Sequence, residues 1–197
     1  MKRILLLGPA LFAAVTTVLT FVQYDFLRGL GWHPLNDPTL DWPSGIALGP
    51  YGIIMTLTFI ISGGLMAMLG LRLRADLKPG AATTIGSALM VAAGVAMALL
   101  AFPTDPTHRT YPLTWHGFLH DMFFVVMGLS LMPGMLVLAS SFRVTPGWEN
   151  FAIYTWGTAG LALPTFFLKG AFFYVFLFSI LLWTELIAWK LVRSSSS

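Results

Sequence analysis

The sequence predicts an all-α fold: a polytopic membrane helix bundle of six transmembrane helices with both chain ends on the cytoplasmic side. Three observations carry that expectation. Hydrophobic residues make up 57% of the chain and charged residues only 10%, whereas an ordinary soluble domain is about 25% charged. Mean hydropathy is +0.80. The apolar residues also fall into stretches of roughly 20, the length at which a helix crosses the hydrocarbon core of a bilayer.

The expected spans are residues 4–26, 48–71, 81–102, 115–140, 151–168 and 171–192. The first begins like a signal peptide, with Lys2-Arg3 ahead of Ala10, Ala13 and Ala14. An apolar signal core is only about 7–15 residues long. This run continues through Val18, Leu19, Phe21 and Val22 and therefore reads as an uncleaved span. The second span offers Gly63 and Ala67, and the third carries Ala88, Ala92 and Ala96 beside Gly94 and Ala98. Small residues at four-residue spacing let two backbones approach closely in lipid, so these spans are expected to pack tightly.

Thr114 stands where an N-cap of the fourth span belongs. Pro133-Gly134 in that span and Pro164 in the fifth are expected to kink or unwind their helices, because proline removes a backbone donor. In the sixth span, Glu185 lies among Trp183, Trp189 and Lys190, an arrangement like an inner aromatic belt, with Arg72 or Arg74 as its expected partner. Residues 1–193 form one integral membrane domain, and residues 194–197 are a polar tail outside it.

Orientation follows from the basic residues. Lys2, Arg3, Arg72, Arg74, Lys78, Arg143, Lys190 and Arg193 fall on one side, and Arg28, Arg109 and Lys169 on the other. The positive-inside rule puts the first side in the cytoplasm of a prokaryotic plasma membrane. All 4 histidines, and Asp25, Asp37, Asp41, Asp105 and Asp121, then share the outer face. The +3 net charge comes from span ends and gives no footprint for nucleic acid. With 0 cysteines there are neither disulfides nor thiolate metal sites. Gly-rich phosphate loops, serine-elbow patterns and phosphatase signatures are absent from the sequence as well.

The chemistry concentrates in residues 101–121, AFPTDPTHRTYPLTWHGFLHD. His116 and His120 are four apart, so a helix places both imidazoles on one face at the spacing that chelates one metal ion. Asp105 and His108, in the preceding loop, are positioned to fold back over them, with His33 or Asp41 joining from other loops. His116, His120, Asp105 and His108 would suit Zn2+ or another divalent ion with a position left for water. Gly117 occupies the place where zinc proteases carry a general base, so the candidate base is Asp121 or Asp105. The alternative is a hydrogen-bonded polar cap at the headgroup level, where Trp115 and Tyr111 also belong.

The run 41–74, DWPSGIALGPYGIIMTLTFIISGGLMAMLGLRLR, followed by the stretch 101–121, resembles bacterial domain-of-unknown-function family 998. The family-like element is Phe102, Pro103, Thr104 and Asp105 with His120 downstream; His116 belongs to it less clearly. The resemblance covers nearly the whole chain and implies a six-span membrane fold without an activity.

Three functions stay open at this point. One is a metal-assisted hydrolase acting on a lipid ester or amide. The second is a non-catalytic carrier or binding bundle for a lipid, quinone or other amphiphile. The third is a structural or assembly partner of another membrane protein. Phe166, Phe167, Phe172, Phe173, Tyr174, Phe176 and Phe178 crowd one hairpin beside the histidine-bearing face. An apolar pocket opening at the polar patch is expected there, and it would hold a membrane lipid or similar amphiphile.

Overall fold

The computed structural model describes residues 2–36, 42–106, 113–167 and 171–194. The described residues are helical, with no strand among them. Seven α-helices follow one another: α1 (Leu7–Val22), α2 (Tyr24–Gly29), α3 (Gly52–Asp76), α4 (Ala81–Leu99), α5 (Trp115–Val144), α6 (Glu149–Phe167) and α7 (Phe172–Arg193). Short 3-10 turns at Lys2–Leu6 and Ser44–Leu48 precede α1 and α3. Among the described residues, five segments are long and apolar enough to cross a membrane: Arg3–Val22, Gly52–Asp76, Ala81–Leu99, Trp115–Val144 and Phe172–Arg193. The chain is therefore a multi-pass membrane protein.

Boundaries shift from the expected spans for local reasons. The first span stops at Val22, because Gln23 turns out of helical geometry and α2 starts afresh. The second begins only at Gly52, since Ser44–Leu48 winds as a separate turn ahead of Gly49-Pro50. α5 and α6 run without interruption through Pro133 and Pro164. α6 is 19 residues long and stands outside the membrane-crossing set. Glu149, Asn150 and a run of Thr, Gly, Trp and Tyr dilute its apolar character.

The exterior is apolar and much of the buried polarity lies inside, as lipid demands. Phe21, Leu129 and Ile153 are exposed, whereas Thr16, Thr58, Ser62, Ser87 and Thr155 are buried. Most of these buried hydroxyls are satisfied by their own helices or by neighbours, while Ser87 Oγ has no hydrogen-bond partner among the described residues. Thr58 and Thr155 donate to the carbonyls of Ile54 and Phe151. Ser62 donates across to the Gly8 carbonyl of α1 at 3.0 Å. The Trp183 indole of α7 donates to Thr155 of α6 at 2.9 Å.

The tightest contact is α3 on α4. A Cβ on Gly63 would collide with the backbone of Gly94 and Ala98, and one on Gly94 with that of Ala67. Gly94 and Ala98 make the contact, while Ala88 faces outward. From there the helices close a ring, α4 on α5, α5 on α6, α6 on α7, and α7 on both α1 and the Lys2–Leu6 turn. Leu5 joins one core cluster with Leu73, Leu77, Trp148 and Leu191, so the Lys2–Leu6 turn and the end of α7 sit at one end of the bundle. A second cluster around Trp32, Trp42, Ile46 and Phe173 fills the other end.

Glu185 differs from expectation. It forms no ion pair with Arg72 or Arg74, and its Oε2 is buried without a hydrogen-bond partner. The basic side chains at that end meet aromatic rings: Arg193 lies 3.8 Å over Trp189 and Lys190 5.8 Å over Trp148.

Candidate functional site

At the end opposite the termini, the close of α4 meets the start of α5. The last carbonyls of a helix have no donor within it and need one from outside. His120 of α5 supplies it: Nδ1 stands 3.1 Å from the Leu100 carbonyl oxygen and 2.8 Å from that of Phe102. A carbonyl only accepts, so the ring proton is on Nδ1 and the neutral ring has its lone pair on Nε2. Ser44 Oγ lies 2.9 Å from that Nε2, so the hydroxyl donates to it. His120 is 5% exposed and satisfied at both nitrogens.

Ser44 is held in place by the segment around it. Gln23 is buried; its Nε2 donates to the Ile46 carbonyl at 3.2 Å, and its Oε1 accepts from the Tyr51 amide at 3.3 Å. The Trp42 indole donates to Thr20 Oγ1 at 2.9 Å, and its ring stacks on Trp32. Segment 42–51 is thus strapped to the end of α1, with Ser44 turned to α5.

Next to this pair, Asp105 organises the first turn of α5. Its carboxylate accepts from the Thr114 amide at 2.7 Å and from the Thr114 hydroxyl at 2.8 Å. Thr114 Oγ1 in turn accepts from the Gly117 amide at 3.1 Å, so Thr114 is the N-cap that the sequence predicts. A carboxylate beside a helix start also meets the positive end of the helix dipole. Gly117 makes this possible, because a side chain there would occupy the space of the Asp105 carboxylate. His116 follows the same rule as His120. Its Nδ1 lies 3.0 Å from the Pro103 carbonyl and 2.9 Å from Thr114 Oγ1, so Nδ1 is the donor.

Asp105, His116 and His120 therefore gather around residues 100–105 and Thr114, Asp105 and His116 joined through Thr114. Asp121 stands exposed on α5 without a hydrogen bond among the described residues. His33 meets Arg28 at 2.5 Å instead of the cluster. His108, Asp41 and Lys169 lie outside the described residues. Among the described residues, no group of three or more His, Asp or Glu is placed to hold a metal ion. A metal on His120 Nε2 would take the position Ser44 holds.

Below the cluster, a cavity of about 920 Å3, counting the space at its mouth, runs between α1, α3, α5 and α7. Its walls include Phe12, Phe59, Met127, Leu131, Phe173 and Phe176, and Ser44 lies at the polar end. Of the aromatic hairpin, Phe173 and Phe176 line the cavity, while Phe172 and Phe178 are exposed. Ser44 is the residue that sequence reasoning did not single out. The only trace is the Pro43-Ser44-Gly45 turn within the family-like run, and its partner is 76 residues away.

Residues 6–190 match the family model described as Protein of unknown function (DUF998). No curated protein and no solved structure matches the chain. The match spans all five membrane-crossing helices nearly end to end, and with the resemblance in 41–74 and 101–121 it establishes that the chain belongs to the DUF998 family.

Proposed function

We propose that the protein binds an amphiphile, with the apolar chain in the central cavity and the polar head beside Ser44, His120, His116 and Asp105. One observation carries this reading: an almost wholly apolar cavity has Ser44 in its wall, and the Ser44 hydroxyl meets His120 Nε2 at 2.9 Å. An apolar pocket with a few placed polar groups is the usual form of a small-molecule site. The cavity spans Phe173 to Thr184 along α7, which is about 16 Å at 1.5 Å per residue. That is roughly half of a ~30 Å hydrocarbon core, the depth of one leaflet.

In this reading α6, packed against α5 and α7, is the sixth span, with Ile153, Leu161 and Leu163 exposed toward lipid, and both termini are cytoplasmic in a prokaryotic plasma membrane. The excess of Lys and Arg at the termini end supports that orientation. The cluster then faces the outer leaflet, where amphiphile heads are found.

Native mass spectrometry of gently solubilised protein tests the proposal. One bound amphiphile per chain is expected, lost in Met127→Trp, which fills the cavity. Delipidated protein that takes up no amphiphile, or Met127→Trp that takes it up equally, overturns it. The first of those results favours the assembly-partner function instead.

A further inference from the structure

We propose that Ser44 and His120 are a nucleophile and general base for acyl transfer, acting on the ester of a long-chain acyl group. This rests on the amphiphile-binding reading and names its substrate class. An activated serine needs a base within hydrogen-bond reach, and the base needs a third group to fix its tautomer. Ser44 Oγ and His120 Nε2 are 2.9 Å apart. The Leu100 and Phe102 carbonyls take the place a carboxylate more often fills, holding the proton on Nδ1. The serine lines the cavity, as does Leu100 beside it. A histidine that served only to cap α4 would need Nδ1 alone; here the second nitrogen is aimed at a hydroxyl on a cavity wall.

The chemistry balances within these groups and one water. Ser44 Oγ attacks the ester carbonyl carbon as His120 Nε2 takes the hydroxyl proton. The carbon–alkoxy bond breaks, and the leaving alcohol takes that proton from Nε2, leaving an acyl group on Ser44. Water then attacks the acyl carbon, gives its proton to Nε2, and the Ser44 oxygen recovers it as the carboxylic acid departs. No metal enters either half.

A long-chain alkyl fluorophosphonate, incubated with the protein in nanodiscs, reads the nucleophile by intact mass and peptide mapping. A single adduct on Ser44 is expected, absent in Ser44→Ala. His120→Gln should slow labelling on the order of 10²–10⁴-fold, the usual contribution of a general base. Native mass spectrometry of the wild type with a non-hydrolysable alkyl-ether amphiphile reads binding separately from labelling. Ser44→Ala deletes one oxygen, so a thermal melt close to that of the wild type keeps the labelling comparison valid even if His120→Gln misfolds. Ether amphiphile bound but Ser44 unlabelled overturns the acyl-transfer proposal and leaves amphiphile binding standing. Neither bound nor labelled defeats both. Labelling on another residue, or labelling abolished by EDTA and restored by Zn2+, overturns the metal-free pair.

Discussion

Replacing Gly117 with alanine separates two effects of opposite sign. In a helix taken alone, alanine is favoured over glycine by about 1 kcal/mol, so Gly117→Ala would stabilise α5. In the structure, the new Cβ would overlap the carboxylate of Asp105 and stand 3.1 Å from its Cβ. Asp105 must then withdraw from the Thr114 amide and hydroxyl, which it holds at 2.7 and 2.8 Å. Hydrogen bonds to a charged group contribute about 1.5–3 kcal/mol each. Asp105 is half-buried, and water replaces part of the loss, so about 2–3 kcal/mol of the pair is forfeited in all. Subtracting the propensity gain leaves a net destabilisation of about 1–2 kcal/mol. Gly128 lies on the same helix, and nothing stands within 4 Å of a Cβ built there. Gly128→Ala should therefore be neutral or stabilising by up to about 1 kcal/mol. Chemical unfolding of both variants in the same mixed micelles measures the difference. If Gly117→Ala proves as stable as Gly128→Ala, Asp105 does not organise the start of α5 as described.

Gly63→Val should separate α3 from α4 and cost about 1–3 kcal/mol, the range for overpacking; Gly64→Ala, which meets nothing within 4 Å, should be tolerated in the same unfolding assay. Gln23→Ala strands the Tyr51 amide and leaves the Ile46 carbonyl with the Gly49 amide as its donor; a loss of about 1–3 kcal/mol is expected, with faster amide exchange confined to segment 42–51. Because the native chain has 0 cysteines, Leu35→Cys and Lys78→Cys can be labelled singly in vesicles. A membrane-impermeant maleimide should reach them from opposite sides, and same-side labelling sinks the proposed orientation.

The sequence made the bundle legible because its strongest signals are long and local. α3 and α4 are continuous apolar runs, and the Gly63–Gly94 contact follows from small residues at helical spacing. Thr114 was readable as a cap for the same reason. What escaped were features fixed by partners distant in the chain. Nothing near Gln23 announces that α1 ends there; its side chain is taken up by Ile46 and Tyr51, more than twenty residues on. Gly117 reads from the sequence as a missing base, whereas in space it is the gap that Asp105 fills. The pair of histidines was visible, yet their ring nitrogens turn to the carbonyls that close α4. The expected salt bridge of Glu185 with Arg72 or Arg74 does not form; the basic side chains at the end of α7 meet aromatic rings, Arg193 over Trp189 and Lys190 over Trp148.

The ring of helices closes in an order that bears on how the protein is made. Except for the wall from α7, the cavity is lined by residues no later than Leu131. The α3–α4 hairpin, joined by the short turn at 77–80, can form its backbone contact as soon as both helices have left the ribosome. α7 is made after the other described helices and must seat against the Lys2–Leu6 turn and α1, which precede it in the chain. Until α7 is in place, the walls supplied by the earlier segments are uncovered on the side it fills. A chain halted before Phe172 would show the same apolar faces but lack one wall, so the cavity, with Phe173 and Phe176 in that wall, is completed only by α7.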